Sequence, residues 1–207
     1  MKNVPEVVAR RLPRYYRYLG EQLEQGVTRI SSGALSEKMK VTASQIRQDL
    51  NCFGGFGHQG YGYNVYELYE AIGEILGLNN HYHIIIIGAG NVGRAVANYP
   101  GFKRRGFVIE AIFDIKPELI GGEIGDIPIF DIAELKEYCR LNSPQIAAIA
   151  VPRSAAEGLV KTLEECGIQG IWNFSHADFD CSIPVESVHM SDSLMTLSYR
   201  ISNPKNQ

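Results

Sequence analysis

Glycines at 88, 90 and 93 form the pattern Gly88-x-Gly90-x-x-Gly93, directly after the aliphatic run HYHIIII and at the start of a helical pattern reaching Tyr99. A buried strand, closely spaced glycines and a helix start form the arrangement in which a dinucleotide's pyrophosphate meets backbone amides. The three glycines have separate tasks. Gly88 permits the tight turn, Gly90 leaves room for the pyrophosphate, and Gly93 lets helix and strand approach closely. Amides along Ala89, Gly90, Asn91 and Val92 present the positive end of the helix to the phosphates. A second aliphatic stretch, FVIEAIFD, ends in Asp114, 21 positions after Gly93. Such folds place there the carboxylate that holds the adenosine ribose hydroxyls. A carboxylate repels a 2′-phosphate, which favours NAD(H) over NADP(H), although Lys116 stands close by.

A different chemistry is written at 45–65, QIRQDLNCFGGFGHQGYGYNV. The helical stretch 41–50 opens with Thr42 and carries Gln45 three residues on, the capping-box spacing. Ile46 and Leu50 then face inward, and Ser44, Gln45, Arg47 and Gln48 face outward near the helix start. The preceding SSGALSEKM reads as a short helix capped by Ser32. Together they make a helix-turn-helix, whose second helix enters the major groove with its N-terminal side chains on base edges. Glycines at 54, 55, 57, 60 and 62, interleaved with Phe53, Phe56, Tyr61 and Tyr63, read as the hairpin of a wing packed down by its aromatics. His58, Gln59 and Tyr61 are its residues toward DNA, and the stretch from Gly54 to Gly62 has no Lys or Arg.

These sites need scaffolds. Val8, Leu12, Tyr15, Tyr16, Leu19 and Leu23 recur at helical spacing over 4–26, with Pro13 kinking or restarting the helix. Arg10, Arg11, Arg14 and Arg17 cluster at that break, the first three assigned to DNA. Residues 64–78 form an amphipathic helix that Gly77 stops. The stretch 130–142 reads as helix, 145–152 as strand, 153–167 as helix and 168–175 as strand. That alternation predicts a doubly wound parallel sheet with ligands at the strands' carboxyl ends, where Val151, Pro152, Asn173 and Phe174 would lie. A last helix, capped by Ser191 and closed by Pro204, carries Leu194, Leu197 and Ile201 on one stripe. Such a stripe packs on a partner chain or on its own domain. The expected division is 1–80, a winged-helix DNA-binding domain; 81–188, an NAD(H)-binding Rossmann domain; and 189–207, a C-terminal dimerisation helix.

Composition narrows the classes. The first sixty residues carry nine Lys/Arg against five Asp/Glu, whereas the remainder carries eleven against eighteen, so a polyanion partner is expected at one end only. No apolar run approaches the roughly 18 residues of a membrane span, and the N-terminus has no signal-peptide core, so a cytoplasmic protein without membrane contact is expected. The four cysteines lack CxxC or metal-like spacing, which predicts reduced thiols, no metal site and a packed Cys52. Only about thirty residues follow the Rossmann core, too few for a substrate domain, and neither His176 nor His189 has a recognisable acid–base partner in sequence. That weighs against an oxidoreductase and leaves no catalytic residue to name.

The chain resembles the bacterial Rex family of redox-sensing transcriptional repressors. The resemblance covers nearly all 207 residues, through VPEVVARRLPRYYRYL, SQIRQDL-x-x-FG-x-FG-x-x-G-x-GYNV, GAGNVGRAVANYPGF and GIWNF. It implies a homodimer with swapped C-terminal helices on an inverted-repeat operator in double-stranded DNA. It also implies repression of fermentative and respiratory genes, released by NADH, with NAD⁺ competing for the same site. Arg17 and Tyr99 match a pair that the family uses to couple the cofactor to the DNA domain. Their usual partner is an Asp where this chain has His189, which leaves Asp192 as a substitute. Gln48 and Gln59 stand where the family usually has basic residues. Those departures keep open an NAD(H)- or nucleotide-binding regulatory module with weakened or altered DNA binding.

Overall fold

The computed structural model describes residues 4–54, 57–58 and 61–203. The chain divides into two compact units, Met1–Asn80 and His81–Gln207.

In the first unit, α1 (Glu6–Ala9) and α2 (Leu12–Glu24) are separate helices, with Pro13 in the first turn of α2. Proline is tolerated there because that amide has no intrahelical acceptor to lose. β1 (Arg29–Ile30) leads into α3 (Ser32–Met39), and α4 (Ala43–Asn51) follows a turn at Lys40. The expected cap on α3 is corrected by one residue: Ser31, in extended conformation, accepts from the Ala34 amide. An N-cap must stand outside the helix to reach that amide, and Ser32 is already inside it.

β2 (Gly57–His58) and β3 (Gly62–Asn64) form the antiparallel hairpin of the wing, and β1 pairs on the other side of β3. Gly62 has φ +70°, and a Cβ there would lie 2.6 Å from the Ile30 carbonyl oxygen. Only glycine fits that crossing. α5 (Val65–Ile75) closes the unit, capped by Asn64, and Tyr16 of α2 stacks on Tyr69 with centroids 4.1 Å apart. Leu12, Leu19, Leu35, Ile46, Leu68 and Ile72 fill the core among these helices. Phe53 and Tyr63 are buried as the aromatic pattern predicts, whereas Tyr61 is 73% exposed.

The second unit is a seven-stranded sheet. Its strands are β4 (Tyr82–Ile87), β5 (Phe107–Asp114), β6 (Glu123–Ile124), β7 (Ile127–Asp131), β8 (Ile146–Ile149), β9 (Gly170–Asn173) and β10 (Val185–Ser187). Their order is β10-β9-β8-β4-β5-β7-β6, parallel except for β6. Between them run α6 (Asn91–Ala97), α7 (Leu135–Asn142), α8 (Arg153–Ala156) and α9 (Val160–Glu165), and α10 (Met190–Ser202) follows β10. β4 pairs with β5 on one side and β8 on the other, so the connections diverge at its carboxyl end. That divergence opens the crevice where ligands bind in such sheets.

Two expectations are corrected here. Phe130 and Asp131 belong to β7 rather than to a helix, because the apolar alternation of IPIFD pairs with β5 before the chain turns. The helix expected across 153–167 is two, α8 and α9, with Gly158 in the break. Glycine is a poor helix former, and nothing here compensates for it. β6 and β10 are too short to have shown a period.

Candidate nucleic-acid and dinucleotide sites

The outer surface of α4 exposes Ser44, Arg47 and Gln48, with Gln45 half-buried at its edge. Arg47 donates to Ser32 Oγ at 3.3 Å, so it spans the two helices of the helix-turn-helix. On the inner side sits Asp49, fully buried. Arg11 donates to both its oxygens, Nε to Oδ2 at 2.7 Å and Nη2 to Oδ1 at 2.6 Å. Tyr15 Oη adds a bond of 2.9 Å and Gln45 Nε2 one of 2.8 Å. Burial pushes the Asp49 carboxyl up, but the bonds from Arg11, Gln45 and Tyr15 outweigh it and hold the group below the usual carboxylate range. Burial and the Asp49 carboxylate raise the Tyr15 phenol, so it remains a donor.

This cluster changes two readings. Arg11, expected on DNA, points inward and ties α2 to α4, because a bidentate partner inside the unit outcompetes solvent. The capping box at Thr42 is half formed: Thr42 Oγ1 accepts from the Gln45 amide at 3.1 Å, but the Gln45 side chain turns to Asp49 instead. A charged acceptor one turn away is stronger than a neutral amide donor at the helix end. Asp49 itself escaped the sequence reading. A lone acid between the inward positions Ile46 and Leu50 was the available signal. Arg10 pairs with Glu6 on the surface, Arg14 donates to the Lys38 carbonyl, and Arg17 is exposed. Gln59 lies outside the described residues, as do Phe56 and the closing Pro204, and His58 is described by its backbone alone. Cys52, expected to be packed, is exposed at the end of α4, because the outer face of that helix carries no core contact.

In the second unit, the turn between β4 and α6 is fixed by contacts that tolerate no side chain. Gly88 has φ +106°, and a Cβ on it would lie 2.7 Å from the Ala150 oxygen and 2.9 Å from Val151 Cγ1. A Cβ on Gly93 would lie 1.9 Å from the Gly88 oxygen. Gly90 differs: nothing lies within 4 Å of its Cβ position, so the space there is open. Asp114 Oδ2 accepts from the Ala89 amide at 2.6 Å, while Oδ1 accepts from the amides of Ile115 and Lys116. Arg94 Nε donates to the Ala89 oxygen at 3.0 Å, so both faces of the Ala89 peptide are held. Asp114 therefore anchors the glycine turn across 25 residues, a role the ribose assignment alone did not contain. Asn91 is exposed and Val92 half-buried at the start of α6.

Val151 and Pro152 follow β8 at the same end of the sheet, Val151 against Gly88. Asn173 ends β9 but is buried. Its Nδ2 donates to the Ala177 carbonyl and Ser187 Oγ, and its Oδ1 accepts from the Ser175 amide and hydroxyl. Its side-chain hydrogen-bonding capacity is filled by these partners in the following loop and in β10. Phe174 packs its ring 4.6 Å from Trp172, and Tyr99, half exposed, lies 4.6 Å from Phe102.

His189 caps α10 without a side-chain bond to the helix, which corrects the cap expected from Ser191. It is not isolated either: His189 Nδ1 lies 2.9 Å from His176 Nδ1, with the rings stacked. The fold thus gives each late histidine the other as partner. Asp192 is exposed in the first turn of α10. No residue of α10 is buried, and Leu194, Leu197 and Ile201 are 67%, 51% and 71% exposed. On the sheet, an open apolar groove of about 400 Å³ is lined by Ile84, Phe102, Phe107, Ile171, Trp172 and Val185, among others. Among the described residues, no helix is long and apolar enough to cross a membrane and no cluster of three or more His, Cys, Asp or Glu could hold a metal.

Two family models divide the chain similarly. Residues 3–51 match the model described as "Putative DNA-binding protein N-terminus", and residues 79–177 match the CoA binding domain. Whole-chain relatives decide the family. A redox-sensing transcriptional repressor Rex of Clostridium perfringens strain SM101 is 52% identical over 204 residues, covering 98% of this chain and 96% of the relative. The Rex protein of Clostridium botulinum strain Hall is 55% identical over 201 residues, 95% of each chain. The chain belongs to the Rex family of redox-sensing transcriptional repressors.

Solved structures agree. RSP, a Rex-family repressor, superposes with a TM-score of 0.91 at 47% identity, covering 99% of this chain and 97% of its own. RSP with β-NAD⁺ and operator DNA gives the same TM-score at 49% identity, covering 99% of this chain and 95% of that one. RSP with β-NADH also matches at 0.91. Rex proteins are repressors rather than enzymes.

Proposed function

We propose that this chain is a cytoplasmic homodimer that represses transcription by binding an inverted-repeat operator and releases it when NADH occupies the Gly88–Gly93 turn. The observation that carries the reading is one chain holding both halves of such a switch. One unit has an exposed helix-turn-helix face beside a hairpin, and the other has a glycine turn left open only at Gly90. RSP, of the same family, has been solved with β-NAD⁺ and operator DNA and with β-NADH. α10, with no residue of its apolar stripe buried, is the dimerisation element, and the groove beside Trp172 is a fitting seat for the helix of a second copy. Ser44, Gln45, Arg47 and Gln48 face the bases, Tyr61, His58 and Gln59 belong to the wing's contact, and Arg10 and Arg14 approach phosphate.

NADH acts as a ligand that prefers one dimer state, and a coupling of roughly 1–3 kcal/mol between sites is enough for a useful switch. Arg17, Tyr99, His189 and Asp192 are the coupling residues. His189 cannot form the charge-assisted bidentate pair that a carboxylate gives an arginine, so Asp192 supplies the charge. A weaker-binding variant of this reading has its own support: Arg11 is turned inward and Gln48 occupies an exposed position on α4.

The test is fluorescence anisotropy of a labelled inverted-repeat operator titrated with protein alone, with NAD⁺ and with NADH. Binding that survives NAD⁺ and is abolished by NADH is the expected result. Absent binding at low salt, with NADH still bound, would leave the cofactor-binding module without the operator.

A further inference from the structure

We propose that His176 and His189 share one bridging proton and so latch the start of α10, a latch that acid opens by supplying a second. Their Nδ1 atoms lie 2.9 Å apart, with ring planes 22° apart and ring centres at 5.2 Å. At that separation the contact is a hydrogen bond, and a bond between two like nitrogens holds one proton. A neutral imidazole has a proton on one nitrogen and a lone pair on the other. In the neutral pair, therefore, one ring donates from Nδ1 and the other accepts there.

Both rings are aimed by their backbones. His176 has φ +59°, a left-handed conformation that a non-glycine residue keeps only where its surroundings impose it. Asn173 imposes it here. Its Oδ1 accepts from the Ser175 amide and its Nδ2 donates to the Ala177 carbonyl, one bond on each side of His176. Asn173 also holds the other segment. Its Nδ2 donates to Ser187 Oγ at 3.1 Å, and its carbonyl accepts from the Val188 amide at 2.8 Å, directly before His189. One buried residue thus presents both imidazoles. His189 is the N-cap of α10, yet its ring goes to His176 and not to a helix amide.

The proton count decides the state. A first added proton leaves the bridge in place and makes it charge-assisted. A second puts N–H on both Nδ1 atoms and sets like charges against each other, so the bond is lost. The charge on His189 then also faces the positive end of α10. Histidine ordinarily changes charge between about pH 5 and 8, so the latch is closed at the upper end and opens toward the lower. The acids nearest along the chain are Asp178 and Asp180 in the loop, Glu186 in β10 and Asp192 in α10, all exposed. Among the described residues none of them forms an ion pair with either ring. No paired carboxylate therefore holds the doubly charged state together. Opening the latch frees the first turn of α10 and weakens the dimer; that consequence rests on α10 as the dimerisation element, whereas the latch itself does not.

The test uses the full-length chain labelled with nitrogen-15 on histidine, followed by long-range proton–nitrogen spectra from about pH 8.5 to 5. His176→Asn and His189→Asn assign the two rings, since asparagine suits both a left-handed loop position and a helix cap. At high pH one of the two rings should be the Nδ1–H tautomer. The wild-type pair should titrate in two separate steps, and the ring left in either variant in one. Sedimentation of the same samples should show dimer affinity falling about ten-fold across that range in the wild type and unchanged in His176→Asn. Both rings as Nε2–H tautomers at high pH, or titration indifferent to loss of the partner, would overturn the latch. A latch seen in the spectra beside a dimer indifferent to pH would uphold the latch and overturn α10 as the dimerisation element.

Discussion

In the N-terminal unit, the surface offered to a ligand is held from beneath by side chains: Arg11, Tyr15 and Gln45 converge on a carboxylate with no exposure to water. In the C-terminal unit, the corresponding surface is set mainly by close backbone packing, with Gly93 against the Gly88 carbonyl, and by a single carboxylate, Asp114, that accepts from the Ala89 amide. Each construction has its own weakness. A polar side-chain network is costly to break at one member, yet apolar residues of similar volume can replace the whole of it. A backbone crossing where an added Cβ would lie 1.9 Å from a carbonyl oxygen has no such substitute, since any side chain adds an atom where another already stands.

The sharpest way to break the comparison is Gly93→Ala. The added carbon must displace the Gly88 carbonyl, so the C-terminal unit should lose roughly 4 kcal/mol or more, with NADH binding lost in isothermal calorimetry. Asp49→Asn comes next. It leaves the Arg11 charge half-buried without its counter-ion, which should cost about 3 kcal/mol in urea denaturation of the N-terminal unit.

That second effect carries a pH signature. The Asp49 carboxyl is held below its ordinary value in the folded state, so its stabilisation is complete above the unfolded value of about 4 and is lost as pH falls through the folded one. The gap between wild type and Asp49→Asn should therefore be full at pH 7 and narrow below about pH 4. A gap independent of pH would mean that the carboxylate charge is not what holds α4.

Gly90→Ala sharpens the contrast within the glycine turn itself. Its Cβ position is empty, so melting should be unchanged while NADH affinity falls about ten-fold, or ~1.4 kcal/mol. Unchanged affinity would take the phosphates away from Gly90. Smallest is Gln48→Arg, which adds one cation to the exposed face of α4. It should tighten operator binding and steepen the salt dependence by about one unit, measured by anisotropy across a salt series.

Much of this architecture was legible where the signal is local. The turn Gly88-x-Gly90-x-x-Gly93, the break at Pro13 and the cap at Thr42 all depend on residues within a few positions of one another, and Asp114 was found by its fixed spacing of 21 from Gly93. The C-terminal helix was legible as an element, but its packing was not. Its narrow stripe suits its own domain or a partner equally, and only the exposure of Leu194, Leu197 and Ile201 separates the two within this chain. The end of β7, Phe130 and Asp131, was lost to a helical reading because the strand passes at once into a helical turn at Ile132–Glu134 that continues as α7.

By itself, the sequence determined the order of the two units, the positions where glycine is required and the face of α4 that meets solvent. Periodicity, capping and steric freedom are properties of short stretches. Tertiary structure alone decided where the long side chains went. Arg11 reaches Asp49 across 38 residues, Asp114 reaches Ala89 across 25, and His176 reaches His189 across 13. An arginine four or five bonds from its backbone can serve a phosphate or a buried carboxylate equally well. The choice is made by what the fold brings within 3 Å of it, and no spacing along the chain carries that distance.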